Sequence, residues 1–228
     1  MTKQQYLNRL WLWFFPRRCV WCAGACEADE MLCGDCAGKA EMLEPGLLSE
    51  TNIPLAPVFT YHSKARNILM NFKFHGARKL AHSIGYAMGD ALSQSKLADK
   101  PGWVFCAVPM TPAKVKERGY NQSELLAEAA ARWLGMDYAP GLLVKTRETQ
   151  AQHGLPKEER QSNITGAFAA ARPGTIAGRS VVLCDDICTT GATLREAAGV
   201  LREAGAEEMI CLTYLRTDLE EENLDNEI

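Results

Sequence analysis

A chain of 228 residues, 47% apolar and 23% charged, has room for one ordinary domain with a small appendage, and its composition excludes a disordered or fibrous protein. Nine cysteines are too few for a disulfide scaffold, and five of them fall between Cys19 and Cys36. The net charge of −3 hides a split: residues 217–228 hold six acids and no base, so residues 1–216 carry 25 basic against 22 acidic side chains, a net +3.

In chain order, the run Leu10-Trp11-Leu12-Trp13-Phe14-Phe15 is much shorter than the ~20 apolar residues of a membrane span. Arg17-Arg18 follow it rather than precede it, unlike a signal peptide. An amphipathic first helix is expected, with no membrane span and a cytoplasmic location for the free thiols. Cys19-x₂-Cys22 and Cys33-x₂-Cys36 then form two knuckles whose thiolates suit a tetrahedral S₄ site for structural zinc. A redox dithiol and unpaired thiols are the competing readings, and Cys26 is either a bystander or a substitute for Cys22. Three zones are expected: residues 1–50 as helix and metal-binding segment, 51–216 as the main domain, and 217–228 as an acidic tail.

Within the main zone, Leu55–Tyr61, Trp103–Val108, Val181–Cys184 and Met209–Leu215 read as strands. Ser123–Leu134 and Thr193–Ala204 carry apolar residues at helical spacing and stop at Gly135 and Gly205. Apolar strands separated by helices predict an α/β fold, a mostly parallel sheet covered on both faces, with Cys106, Cys184 and Cys211 buried on its strands.

The chemistry concentrates in Val181–Thr193. A buried strand is expected to end at adjacent acids, Asp185 and Asp186, where open α/β sheets bind ligands. Thr189, Thr190, Gly191, Ala192 and Thr193 follow and run into a helix, a setting that aims N–H groups and hydroxyls at a phosphate. Acids repel a phosphate, so they must serve another part of the ligand, and the hydroxyls of a sugar fit. The residues therefore point to a sugar phosphate held at both ends. Elsewhere, Lys114, Lys116 and Arg118 suit either a pyrophosphate or a solvated basic turn. The long polar stretch from Arg147 to Phe168 has the length of a binding loop and includes His153, more often a surface residue than a catalyst.

The run Val181–Thr193 resembles the 5-phosphoribosyl-1-pyrophosphate (PRPP) signature of the type I phosphoribosyltransferases, with Cys188 where an aliphatic residue is usual. The likeness implies that Asp185 and Asp186 hold the ribose hydroxyls and that residues 189–193 hold the 5′-phosphate. Taken with the cysteine pairs, Lys73 in Phe72-Lys73-Phe74, the block Arg118-Gly119-Tyr120-Asn121-Gln122 and the stretch Gln152…Arg160…Asn163…Ala167-Phe168, the chain resembles the ComF/GntX family. Tyr120 stands where members commonly carry Phe. The resemblance implies a zinc-ribbon-like appendage on a type I fold and an association with DNA uptake or use of external DNA. It implies displacement of pyrophosphate from PRPP through an oxocarbenium-like transition state, by an unidentified nucleophilic acceptor, with Mg²⁺ arriving on the substrate. Lys73 and Arg118 are expected on the pyrophosphate side, and Gln152, Arg160 and Asn163 in a closing loop. No general base is identifiable. Thr2 stands where a glutaminase nucleophile would be cysteine, so a glutamine-dependent reaction is not expected.

A second reading is a non-catalytic PRPP sensor or scaffold that binds single-stranded DNA. The acid-free stretch from Thr51 to Gly89 interleaves Lys64, Arg66, Lys73, Arg78 and Lys79 with Phe59, Tyr61, Phe72, Phe74 and Tyr86. A solvated helix face over core aromatics explains the same pattern, and +3 is a weak charge for nonspecific DNA binding.

Overall fold

The computed structural model describes residues 18–27, 30–61, 63–74, 77–149 and 162–217. The helix expected before Cys19, His153, and the acidic tail beyond Thr217 lie outside these residues. No helix among the described residues is long and apolar enough to cross a membrane.

The elements run α1 (Gly34–Ala37), β1 (Gly46–Leu47), β2 (Pro54–Thr60), α2 (Ala65–Phe74), α3 (Leu80–Ser95), β3 (Val104–Ala107), α4 (Pro112–Arg118), α5 (Gln122–Leu134), β4 (Asp137–Tyr138), β5 (Leu143–Lys145), β6 (Phe168–Ala170), β7 (Val181–Cys188), α6 (Ala192–Glu203) and β8 (Met209–Arg216). Six strands form one sheet in the order β1-β2-β8-β7-β3-β4, parallel throughout except where β1 pairs antiparallel with β2. The boundary expected near residue 50 thus falls inside the β1–β2 hairpin. β5 and β6 make a separate antiparallel pair.

The sheet is apolar on both faces because alternate residues of each strand enter different cores. Phe105, Val182, Cys184, Leu212 and Tyr214 face α3 and α5, against Ile84, Met88, Leu126 and Ala130. Val104, Cys106, Leu183 and Cys211 face α6, against Leu194, Ala197, Ala198 and Leu201. Burial on both sides favours Val, Leu and Cys at successive positions and removes the polar alternation of a half-exposed strand. α3 and α5 approach so closely that a Cβ on Gly85 would lie 2.4 Å from Ala129 Cβ. Tyr86 meets Trp133 edge-on along the same seam.

β3 and its neighbour β7 send their following helices to opposite faces, α5 to one core and α6 to the other. That divergence opens a crevice at the carboxyl ends of the two strands. β7 runs past the expected Cys184 to Cys188, because β8 continues beside it and pairs Asp185 with Thr213, Ile187 with Leu215 and Cys188 with Arg216. Asp185 and Asp186 are therefore strand residues, held by the ladder rather than by a loop.

Candidate functional site: an acid pair, a glycine-hinged loop and a cysteine cluster

Several segments meet around the carboxyl end of β7. From β7, Asp185 Oδ1 accepts the Ser123 hydroxyl at 2.7 Å and the Asp186 N–H at 2.9 Å. Ser123 is in place because Asn121 caps α5: its Oδ1 accepts the Ser123 N–H at 3.1 Å and its Nδ2 donates to the Val108 carbonyl at 3.1 Å. One side chain thus ties the start of α5 to the end of β3. Burial, and then the neighbouring Asp186 carboxylate, push Asp185 up to about 7.

Asp186 Oδ2 pairs with Lys73 Nζ at 2.9 Å, and the two side chains are only 10% and 14% exposed. Lys73 sits in the last turn of α2. That turn is anchored by Tyr120, whose hydroxyl donates to the Phe72 carbonyl while its ring tilts against the Phe72 ring at 5.6 Å. Tyr120 supplies a hydrogen bond that phenylalanine would lack. Lys73, expected beside a pyrophosphate, is here on one of the acids. Arg118 is close by, its guanidinium 5.1 Å from the centre of the exposed Phe74 ring and its Nη1 donating to Gln122 Oε1 at 3.3 Å.

Residues 189–193 follow β7 directly. Gly191 caps α6 at φ 76°, the left-handed region, and a Cβ there would lie 2.7 Å from Leu48 Cδ1. Leu48 is itself buried, so it has little freedom to retreat. Arg195, one turn into α6, donates to the Thr190 carbonyl at 2.8 Å and to the Ser49 carbonyl at 3.2 Å. The hairpin end at Leu48–Ser49 is thus a wall behind the loop. Gly191→Ala is expected to destabilise the fold by about 1–2 kcal/mol through backbone strain alone, and to weaken any phosphate held by the loop. A thermal melt together with phosphate-ester titration checks both effects.

A pair of lysines that sequence patterning did not single out as a unit lies on the same side. Lys145 Nζ donates to Thr149 Oγ1 at 2.8 Å and Lys114 Nζ to the Thr149 carbonyl at 3.4 Å. Burial, then the charge of Lys114, lowers the Lys145 pKa, while Asp185 opposes the shift. Two ammonium groups thus meet at Thr149, with Asp185 within electrostatic reach of Lys145. Only folding brings them together, because Lys145 belongs to β5 and Lys114 to α4. Of the expected loop residues, Gln152 and Arg160 lie outside the described residues. Asn163 is described, and its carbonyl accepts Arg147 Nη2 at 3.0 Å, which holds the two ends of that segment together.

On the sheet face that carries α3 and α5, the Sγ atoms of Cys19, Cys22, Cys33 and Cys36 lie within 4.8 Å of one another. Zinc–thiolate bonds of about 2.3 Å in a tetrahedron place sulfurs about 3.8 Å apart; Cys22 and Cys33 are 3.7 Å apart. The four sulfurs can therefore hold a metal ion, and Cys26 is not among them. Cys19 has a pKa lowered to about 7 although burial opposes it, because the N–H groups of Cys33, Trp21 and Cys22 point at its sulfur. Burial, and then the Cys33 thiol, push Cys36 up to about 12. The knuckle docks on the sheet through the Tyr214 hydroxyl, which donates to the Val20 carbonyl, and through Trp21 packed edge-on against Phe59 at 5.0 Å.

The aromatics of the acid-free stretch divide. Phe59, Phe72 and Tyr86 are buried in the core, whereas Phe74 is exposed and Tyr61 half-buried under Arg66. Three of the five rings are therefore out of reach of a stacking base.

An acid pair near the carboxyl end of β7, a glycine-hinged loop leading into a helix, and a mostly parallel sheet make up a type I phosphoribosyltransferase-like fold. The phosphoribosyl transferase domain family matches residues 121–226. Competence protein F of Haemophilus influenzae is 29% identical over 220 residues, which cover 86% of this chain and 95% of that protein. DNA utilization protein YhgH of Escherichia coli strain K12 is 28% identical over 210 residues, covering 87% and 90%. Competence protein ComFC of Streptococcus pneumoniae is 29% identical over 159 residues, covering 70% and 66%. Over most of its length the chain is thus similar to competence and DNA utilization proteins of the ComF type.

Proposed function

We propose that the crevice binds PRPP and that the protein displaces its pyrophosphate with a nucleophilic acceptor, in the service of DNA uptake or use. The observation that carries this reading is the placement of Asp185 and Asp186 one loop ahead of a helix N-terminus. An acid pair and a phosphate cradle in sequence fit the two ends of a phosphorylated sugar. Asp185 and Asp186 would take the ribose hydroxyls, and residues 189–193 the 5′-phosphate. Arg118, Lys114 and Lys145 carry the charge that a departing pyrophosphate needs. Gln152, Arg160 and Asn163 would belong to the segment that closes over the reactants and excludes water. Mg²⁺ would arrive with the pyrophosphate, since it keeps several waters and few protein ligands. Zinc is the metal proposed for Cys19, Cys22, Cys33 and Cys36, in a structural role and a reducing cytoplasm.

Pyrophosphate release is the test of turnover, measured with PRPP, Mg²⁺ and a panel of bases, nucleosides and ammonia. Release with one member of the panel supports a transferase. PRPP binding with silence across the panel favours the second reading, a PRPP-responsive scaffold for single-stranded DNA. The exposed Phe74 under Arg118 is the feature that favours that reading, since stacked ring and guanidinium suit a base.

The raised Asp185 pKa gives the site a pH signature. A carboxyl held up to about 7 is partly protonated in the free protein near neutrality, and ribose hydroxyls prefer its ionised form. PRPP affinity is therefore expected to rise between about pH 6 and about pH 8, with proton release on binding. Stability should run the other way: the folded-state pKa lies above the unfolded one, so the penalty on the buried charge is relieved as pH falls through 7. Titration in buffers of different ionisation enthalpy measures the released proton, and Asp185→Asn should abolish it.

A further inference from the structure

Asp185 and Asp186 are adjacent but not equivalent. Asp185 Oδ1 accepts the Ser123 hydroxyl and the Asp186 N–H, neither of them a cation. Asp186 is instead held by Lys73 at 2.9 Å, through side chains only 10% and 14% exposed. An ammonium on Asp186 Oδ2 occupies one of the carboxylate's two oxygens, so a sugar hydroxyl would compete with it there. Burial makes this pair more than a screened surface contact, because withdrawing Lys73 leaves a poorly solvated carboxylate behind. The backbone under Lys73 is anchored by the Tyr120–Phe72 hydrogen bond and by Arg78 stacked 5.0 Å from the Tyr120 ring. The lysine stem can swing while its helix stays in place, as four rotatable bonds allow.

We infer that Lys73 is a latch on the sugar site, released by a diphosphate at C1 of the ligand, and that it makes the site select C1-pyrophosphorylated ribose over plain ribose 5-phosphate. The inference rests on the PRPP reading and adds the origin of its selectivity. A neutral diol offers the ammonium nothing in exchange for Asp186, so ribose 5-phosphate binds against the latch. A diphosphate at C1 stands beside the 2′-hydroxyl and supplies anionic oxygens within a short swing of Lys73. The ammonium moves to the diphosphate, and Asp186 is released to accept from the hydroxyl. Lys73 thus serves two partners in turn, the acid before binding and the pyrophosphate after it.

The test is calorimetry on the full chain, titrating PRPP with Mg²⁺ and, separately, ribose 5-phosphate, into wild type and Lys73→Gln. Lys73→Gln is expected to bind ribose 5-phosphate several-fold more tightly and PRPP about tenfold more weakly, collapsing the preference between them. A second arm needs no variant: saturating inorganic pyrophosphate with Mg²⁺ should draw Lys73 off Asp186 and tighten ribose 5-phosphate binding to wild type several-fold. PRPP binding to wild type, with ribose 5-phosphate affinity unmoved by both the substitution and the added pyrophosphate, overturns the latch alone. Failure of wild type to bind either ligand overturns the PRPP reading itself.

Discussion

Replacing Asp185 and Asp186 together by alanine is expected to weaken PRPP binding by about 100-fold or more in calorimetry, while the protein stays folded. Each carboxylate is proposed to accept a hydroxyl of the ribose, and hydrogen bonds to charged groups contribute about 1.5–3 kcal/mol each. Two such losses account for the factor. The fold should tolerate the change, because burial and mutual repulsion already oppose the charge of Asp185. The substitutions leave the β7–β8 ladder intact, since its bonds are made by backbone. Lys73 loses its partner but can extend toward solvent on its long stem. A folded double variant, judged by an unchanged melt, that binds PRPP within about threefold of wild type contradicts the assignment of these acids.

The second large effect concerns the cysteine cluster. Stripping metal with a strong chelator, or replacing Cys36 by serine, is expected to lower the melting temperature by at least about 10 °C. Four sulfurs within 4.8 Å of one another, two of them buried, repel when ionised unless a cation sits among them. The segment has little regular structure of its own: among the described residues it contributes one isolated β-bridge, between Arg18 and Ala25, and one four-residue helix, α1. Its losses should spread, because Val20 and Trp21 contact Tyr214 and Phe59 on β8 and β2. About one zinc per chain by elemental analysis, lost together with the stability in Cys36→Ser, is the expected result. Chelator-treated, metal-free protein that melts as the untreated protein does would contradict it.

Much of this architecture was legible in the sequence, for a physical reason. Strands β2, β3 and β8 and helices α5 and α6 lie within one residue of the expected ends, because two-sided burial writes unbroken apolar runs and glycine marks helix ends. The end of β7 was not legible: Asp185 and Asp186 look like a loop until β8 is seen pairing beside them. α2 and α3 were not resolved as separate elements, since Gly85 and Gly89, which allow close contact with α5, interrupt the helical pattern. β1, β4 and β5–β6 are too short for periodicity to register. Of the site, the acids and the threonine–glycine loop were readable because they are contiguous. The Lys73–Asp186 pair, the Ser123–Asp185 bond and the meeting of Lys114 with Lys145 join residues from different elements, and no local pattern announces them.

Tyr120 bears on the site through its single hydroxyl. Phenylalanine there would keep the ring packing on Phe72 but lose the hydrogen bond to its carbonyl. That bond reinforces the turn bearing Lys73, so the substitution bears on the site although Tyr120 itself is buried.

A structure of the protein with PRPP and Mg²⁺ bound tests the central claim most directly. The account predicts the ribose hydroxyls on Asp185 and Asp186, the 5′-phosphate on the backbone of residues 189–193, and Lys73 moved from Asp186 to the pyrophosphate. PRPP bound away from this crevice, or bound in it with its phosphate turned from the 189–193 loop, would contradict the account.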